Sequence, residues 1–115
     1  DASFPVAAKK IKVAIATVLA MSPDILVMDE PTSNLDPRSR RSLIELLAGF
    51  HHTKIIATHD LDMVIDLCER TIVIHEGTIM ADGPTADIFN DDNLLKKSHL
   101  ERPLRMQACP FCSRR

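Results

Sequence analysis

The strongest constraint on the fold is a short apolar run that ends in two acids. Residues 25–28 are four apolar side chains, two of them β-branched, and they lead directly into Asp29 and Glu30. A short run without alternation predicts a strand buried on both faces, as in a parallel sheet with helices above and below. Such a strand brings its last side chains to the carboxyl edge of the sheet, where open α/β folds bind their ligands.

The two acids should have different tasks. Successive side chains of a strand point to opposite faces, so one carboxylate can hold a divalent metal while the other orients or deprotonates a water. The alternative is a helix-capping acid pair in an ordinary turn. The apolar run before Asp29 favours the site at the edge of a sheet.

The rest of the chain predicts an α/β fold in which helices and strands alternate. Apolar residues spaced three and four apart indicate helices, and these are predicted over residues 9–21, 37–49, 61–68, 85–89 and 94–100. A second buried strand is predicted over residues 54–58. Residues 71–75 and 78–81 predict a hairpin around Glu76 and Gly77, which ends where Gly83 and Pro84 break the pattern. We assign residues 1–90 to one domain and residues 91–115 to a terminal helix and a mobile tail.

Composition narrows the class of protein. The chain is 45% hydrophobic and 26% charged, as soluble globular proteins are, and its net charge of −2 argues against nucleic acid as the main partner. No apolar run approaches the length of a membrane span, and no basic start with an apolar core indicates a signal peptide. Three cysteines without secretion features predict a reducing, cytoplasmic setting.

Two of the cysteines, Cys109 and Cys112, form a CxxC pair near the end of the chain. A redox pair of the thioredoxin type begins a helix after a strand, and a zinc site needs four ligands. Neither condition is met in the sequence. We interpret the pair as incidental, or as half of a zinc site shared across a dimer.

Three short motifs carry a resemblance to a known family. The segment ILVMDEP at residues 25–31 resembles the Walker B segment of ATP-binding-cassette ATPases, and SNLD at residues 33–36 resembles their D-loop. The segment ATHD at residues 57–60 resembles the strand end that carries the switch histidine of that family, and EGTIMADGP at residues 76–84 resembles its closing hairpin. The nearest subgroup is the ATP-binding subunit of cobalt/nickel-type energy-coupling-factor importers.

The resemblance implies a role for each motif residue in a P-loop NTPase core with parallel strands, flanking helices and a C-terminal hairpin. Asp29 would hold Mg²⁺ through water, Glu30 would polarise the attacking water, and His59 would contact the γ-phosphate of ATP. Ser33 and Asp36 of the D-loop would help to bind the nucleotide, and Asp36 would also signal across a dimer. The implied partners are a second ATP-binding subunit and a transmembrane transporter subunit, at the inner face of the cell membrane.

The sequence contains only part of the nucleotide site of that family. No GxxxxGK[ST] motif is present, and the three glycines lie at residues 49, 77 and 83. At residues 5–9, PVAAK stands where the family has its LSGGQ signature, whose glycines allow close approach to phosphate. We therefore expect a fragment of an importer ATPase that does not hydrolyse ATP by itself.

Two other classes of function remain open from the sequence. The first is a non-catalytic interaction module that docks on a complete ATPase or on a membrane subunit. The second is a nucleic-acid-processing ATPase of the same superfamily, which predicts a basic face and a coiled-coil insertion before residues 9–21. The sequence shows neither of these two features.

Overall fold

The structure, a computed structural model, describes the backbone of residues 6–107 and the side chains of residues 13–107. Its elements are α1 (Val6–Ala20), β1 (Ile25–Asp29), α2 (Pro37–Ala48), β2 (Thr53–Ala57), α3 (Leu61–Leu67), β3 (Arg70–His75), β4 (Thr78–Pro84), α4 (Thr85–Phe89), α5 (Asp92–Lys97) and a 3₁₀ turn (Leu104–Met106). The predicted α/β class is confirmed. Cys109 and Cys112 lie outside the described residues.

The backbone forms two compact units, of which the first ends at Asp60 and the second begins at Leu61. Each unit contains one two-stranded sheet: β1 pairs with β2 in the first, and β3 pairs with β4 in the second. The division into a domain over residues 1–90 and a tail over residues 91–115 stays a prediction.

The parallel pair β1–β2 brings two carboxyl ends together, as the sequence predicts. Ile25 lies opposite Thr53 and Asp29 lies opposite Ala57, without a register shift between them. The backbone N–H of Glu30 donates to the carbonyl of Ala57 at 2.7 Å, which extends the pairing by one residue. Strand β2 begins and ends one residue earlier than predicted.

One face of this sheet is exposed, so the prediction of a strand buried on both faces is wrong. Val27 and Ile55 lie opposite each other, and their side chains are 69% and 55% exposed. On the other face Leu26 is buried. An apolar run reports which side chains favour burial, whereas burial also requires a covering layer. Within the described residues no layer covers the face that carries Val27 and Ile55.

Helix α2 begins at the predicted residue and ends one residue before the predicted end, with Gly49 as its C-cap. Asp36 is the N-cap in extended conformation, and its side chain accepts a hydrogen bond from the backbone N–H of Ser39 at 3.3 Å. Pro37 occupies the first helical position, where its missing N–H costs nothing. Ser39, Leu43 and Leu47, spaced four apart, are buried along one face. The N-cap therefore fixes the loop before the helix, and the buried face of the helix packs into the core.

Helix α1 begins at Val6, three residues before the predicted start. Alanine has the highest helix propensity of all residues, so Ala7 and Ala8 favour this longer helix. Among the described helices none is long and apolar enough to cross a membrane.

The second unit contains the predicted hairpin in a longer form. Glu76 and Gly77 have φ values of 50° and 75°, which matches a two-residue type I′ turn. Strand β4 continues through Gly83 to Pro84, which lies opposite Arg70. The prediction that Gly83 and Pro84 break the strand is wrong, because a proline is tolerated where its strand edge needs no donor.

A small core stabilises the second unit. Its buried side chains come from α3, β3, α4 and α5: Val64, Val73, Ile88, Phe89 and Leu95. Cys68 also packs against this cluster. The 3₁₀ turn was not predicted. Asp62 on α3 anchors this turn, because its carboxylate accepts hydrogen bonds from the backbone N–H groups of Leu104 and Arg105. Asp62 and Leu104 are 42 residues apart in sequence.

Helix α5 ends in a Schellman motif that has a histidine at the position usually taken by glycine. The N–H of His99 donates to the carbonyl of Lys96 at 3.2 Å, and the N–H of Leu100 donates to that of Leu95 at 2.8 Å. His99 has a φ of 56°, a conformation that costs a residue with a Cβ about 1–2 kcal/mol. Its ring lies 4.6 Å from that of His75, centroid to centroid.

We expect His99→Gly to raise the free energy of unfolding by about 1 kcal/mol relative to His99→Ala, since glycine alone avoids the steric cost of positive φ. Both variants lose the ring contact with His75, so their difference isolates the backbone. Urea unfolding of the two variants measures it. Equal stability of the two would show that the turn relaxes out of the left-handed conformation.

Candidate functional site

Glu30 turns the chain sharply at the carboxyl end of β1. It has a φ of 47°, a left-handed conformation that a glutamate rarely adopts. Its carbonyl accepts a hydrogen bond from the N–H of Ser33 at 3.2 Å, which closes a turn. Strained backbone of this kind concentrates at functional sites and must be stabilised by its surroundings.

The carboxylate of Glu30 holds the segment that follows β2. Its Oε1 atom accepts a hydrogen bond from the backbone N–H of His59 at 3.0 Å, and its Oε2 atom accepts one from the hydroxyl of Thr58 at 3.2 Å. The Nε2 atom of His59 lies 3.8 Å from Oε1, and the His59 side chain is 91% exposed. The structure thus brings together Glu30 and His59, the two residues predicted to be catalytic.

Asp29 lies beside this pair as an exposed carboxylate at the end of β1. Its side chain has no hydrogen bond or ion pair with any described residue. The described residues contain no group of three or more His, Cys, Asp or Glu side chains arranged around a common metal position. Mg²⁺ in phosphate-transfer sites is held by one or two carboxylates, with waters and phosphate oxygens completing its shell. A single exposed carboxylate fits that donor set.

The other two predicted binding residues lie in the loop between β1 and α2. Ser33 is exposed, and Asp36 caps α2. The hydroxyl and the backbone N–H of Ser39 lower the pKa of the Asp36 carboxyl, against the burial that raises it. Apart from the backbone hydrogen bond from Ser33 to the Glu30 carbonyl, no hydrogen bond or ion pair between described atoms joins Ser33 or Asp36 to Glu30 or His59. Their nucleotide-binding roles stay predictions.

Arg40 has a structural partner that the sequence did not reveal. From the sequence, Arg38, Arg40 and Arg41 are all predicted to be solvated surface residues. In the structure the Nε and Nη2 atoms of Arg40 each donate to the carboxylate of Asp60 at 2.8 Å. The expectation is wrong for Arg40, because residue 40 faces the segment after β2. Three arginines within four positions look alike in sequence, and no signal distinguishes this one.

A comparison with protein families identifies the class of domain. Residues 9–66, just over half of the chain, match a family described as "AAA domain, putative AbiEii toxin, Type IV TA system". The chain belongs to this AAA domain family. The match contains β1, β2 and the segment from Asp29 to Asp60, so the site described above lies within it.

Relatives of this AAA domain carry transporter names. A "Putative ABC transporter ATP-binding protein" of Geobacter sulfurreducens is 65% identical over 106 residues, which are 92% of this chain and 43% of the relative. The "Energy-coupling factor transporter ATP-binding protein EcfA2" of Methanospirillum hungatei is 38% identical over 86% of this chain and 26% of that protein. The chain thus spans less than half of either relative.

A solved structure shows the same fold in part. The AAA domain superposes on cbiO1 from Clostridium perfringens, described as part of the ABC transporter complex cbiONQ, with a TM-score of 0.63 and 37% identity. The match covers 78% of this chain and 38% of cbiO1. The predicted fold, a part of an ABC-type ATPase core, is therefore confirmed.

The lowered pKa of Asp36 predicts acid sensitivity. A folded-state pKa below the ordinary 3.8 contributes stability above that value, and the contribution is lost as the pH falls through the folded pKa. We expect Asp36→Asn, whose amide still caps the helix, to flatten the loss of unfolding free energy below about pH 4. Chemical unfolding across that range measures it. An unchanged slope would assign the acid sensitivity to other carboxylates.

Proposed function

We propose that this segment is the carboxyl-terminal part of an ATP-binding subunit that couples ATP hydrolysis to import across the cytoplasmic membrane. The observation that carries the proposal is the contact of the Glu30 carboxylate with the His59 segment at the carboxyl edge of β1 and β2. Ligands of open α/β sheets bind at this edge. The names of the relatives support the same function.

Each acidic or basic group would have one task in hydrolysis. Glu30 orients and polarises the attacking water, and the exposed imidazole of His59 contacts the terminal phosphate. Asp29 would hold Mg²⁺ through water, and MgATP, when bound, would supply the phosphoryl group. The backbone N–H of His59 donates a hydrogen bond to the Glu30 carboxylate. A movement of His59 would therefore change the position of this carboxylate.

This segment would not hydrolyse ATP alone. Its sequence contains no P-loop motif, and the backbone donors and lysine of a P-loop provide most of the phosphate binding. The exposed face that carries Val27 and Ile55 supports a segment that packs against further parts of a larger domain.

The partners follow from the same proposal. A second ATP-binding subunit would complete the nucleotide site, and a transmembrane subunit would transmit the conformational change, with the segment at the inner face of the membrane. The energy-coupling-factor type rests on the name of the Methanospirillum relative. A transition metal as the transported substrate stays a prediction from the sequence.

The exposed apolar face also supports a second function. A contiguous apolar sheet face is a surface on which another protein can dock, so a non-catalytic module that binds a complete ATPase is the alternative. The two functions predict different results when a P-loop is supplied. An ATPase fragment would gain ATP hydrolysis, and a docking module would not.

We expect the 115-residue chain to bind MgATP negligibly and to show no hydrolysis above background. Isothermal titration and phosphate release measure both. The matched comparison is a chimera in which residues 10–106 of this chain replace the matching residues of the Geobacter relative, so that residues 5–9 are not transferred. This chimera, hereafter the Geobacter chimera, should hydrolyse ATP. Micromolar affinity in the chain alone, or an inactive chimera that still binds ATP, would contradict the proposal.

Glu30→Gln in the Geobacter chimera should lower turnover about 10²- to 10⁴-fold and leave ATP binding intact, because the amide keeps the shape and loses the charge that polarises water. Glu45→Gln, an exposed position on α2, is the matched control and should change neither quantity. Turnover and nucleotide affinity are measured on the same preparations. Unchanged turnover in Glu30→Gln would move the catalytic base to another residue.

A further inference from the structure

Asp60 is the centre of a small polar network beside the site. Its Oδ2 atom accepts hydrogen bonds from the Nε atom of Arg40 and from the hydroxyl of Thr32, both at 2.8 Å, and its Oδ1 atom accepts one from the Nη2 atom of Arg40 at 2.8 Å. Thr32 belongs to the loop after β1, and Arg40 belongs to α2. Asp60 therefore ties both to the segment after β2.

The network continues from Asp60 to Glu30 through hydrogen bonds. The backbone N–H of Asp60 donates to the hydroxyl oxygen of Thr58 at 2.9 Å, and that hydroxyl donates its proton to Oε2 of Glu30 at 3.2 Å. The N–H of His59, between these two residues, donates to Oε1 of the same carboxylate. Both donors to Glu30 thus lie on a three-residue segment that ends at Asp60.

We propose that Arg40 and Asp60 form a positioning clamp for Glu30 and His59. Arg40 holds Asp60, Asp60 fixes the course of residues 58–60, and this segment aims the Glu30 carboxylate and the His59 backbone. Neither clamp residue touches the reacting atoms. The inference deepens the proposed function and rests on it for the statement about catalysis.

The geometry of the Arg40–Asp60 pair suits a clamp. Two parallel N–H···O bonds fix the orientation of the two planar groups as well as their distance. The side chains are 32% and 21% exposed, so solvent screens the pair less than it would a pair on the open surface. A lysine would keep the charge of Arg40 and lose the second bond.

The clamp also connects the site to the loop that carries Ser33 and Asp36. The backbone N–H of Arg40 donates to the carbonyl of Asp36 at 2.9 Å, so Arg40 stands in the first turn of the helix that Asp36 caps. A movement of this helix end moves the guanidinium, and with it Asp60 and the donors to Glu30. The loop and the catalytic pair are thereby coupled through a single contiguous network.

The test compares variants of the clamp in the Geobacter chimera. We expect Arg40→Met, Asp60→Asn and the double variant to lower turnover by the same factor, about 10- to 100-fold, with the KM for ATP nearly unchanged, because a small misplacement of catalytic groups has this effect. Equal single and double effects are the signature of two residues that act as one unit. Arg40→Lys should restore part of the loss, and Arg41→Met, an exposed neighbour on α2, should have no effect.

A second readout does not depend on catalysis. In the 115-residue chain, Arg40→Met should reduce the amide hydrogen-exchange protection of His59 about 10-fold, and Arg41→Met should leave it unchanged. Thr32→Val, which removes the hydrogen bond from the Thr32 hydroxyl to Asp60, should have a smaller effect in the same direction. Unchanged exchange at His59 in Arg40→Met, or additive effects of Arg40→Met and Asp60→Asn on turnover, would overturn the clamp. An inactive wild-type chimera with the expected exchange pattern would instead contradict only the proposed function.

Discussion

The local structure of the candidate site depends on one carboxylate that accepts hydrogen bonds on both of its oxygens. Glu30 occupies a left-handed backbone conformation that costs about 1–2 kcal/mol. Hydrogen bonds to a charged group contribute about 1.5–3 kcal/mol each, and Glu30 receives one from His59 and one from Thr58. The two hydrogen bonds therefore more than compensate for the strain. A neutral residue at this position would keep the strain and weaken the bonds.

The sequence predicted the elements of this site because local rules dictate them. The apolar run before Asp29 forms β1, and parallel pairing then brings the end of β1 to the end of β2. The position of His59 beside Glu30 follows from these two facts alone. The cap at Asp36 and the first turn of α2 are equally local, since a capping acid followed by proline determines them.

Other features depend on contacts that no local rule describes. Arg40 and Asp60 lie 20 residues apart, and Asp62 anchors a turn 42 residues further along. The exposure of Val27 is a related case. Periodicity predicts which side chains favour burial, whereas the covering layer is a property of everything else that packs on the sheet. The apolar run therefore predicted the strand correctly, but the prediction that both of its faces are buried was wrong.

The polar residues near the site are of two kinds: exposed groups and groups that hydrogen-bond to one another. Asp29 and the His59 imidazole are exposed, as groups that meet a ligand must be. Thr32 is buried, and Arg40 and Asp60 are partly buried; their polar atoms bond to one another. Glu30 belongs to both kinds, since its carboxylate is bonded on both oxygens and still partly exposed. A residue in that position can respond to a ligand on one side and to a movement of α2 on the other. In the proposed clamp, the hydrogen bonds between Glu30 and the segment ending at Asp60 would link these two events.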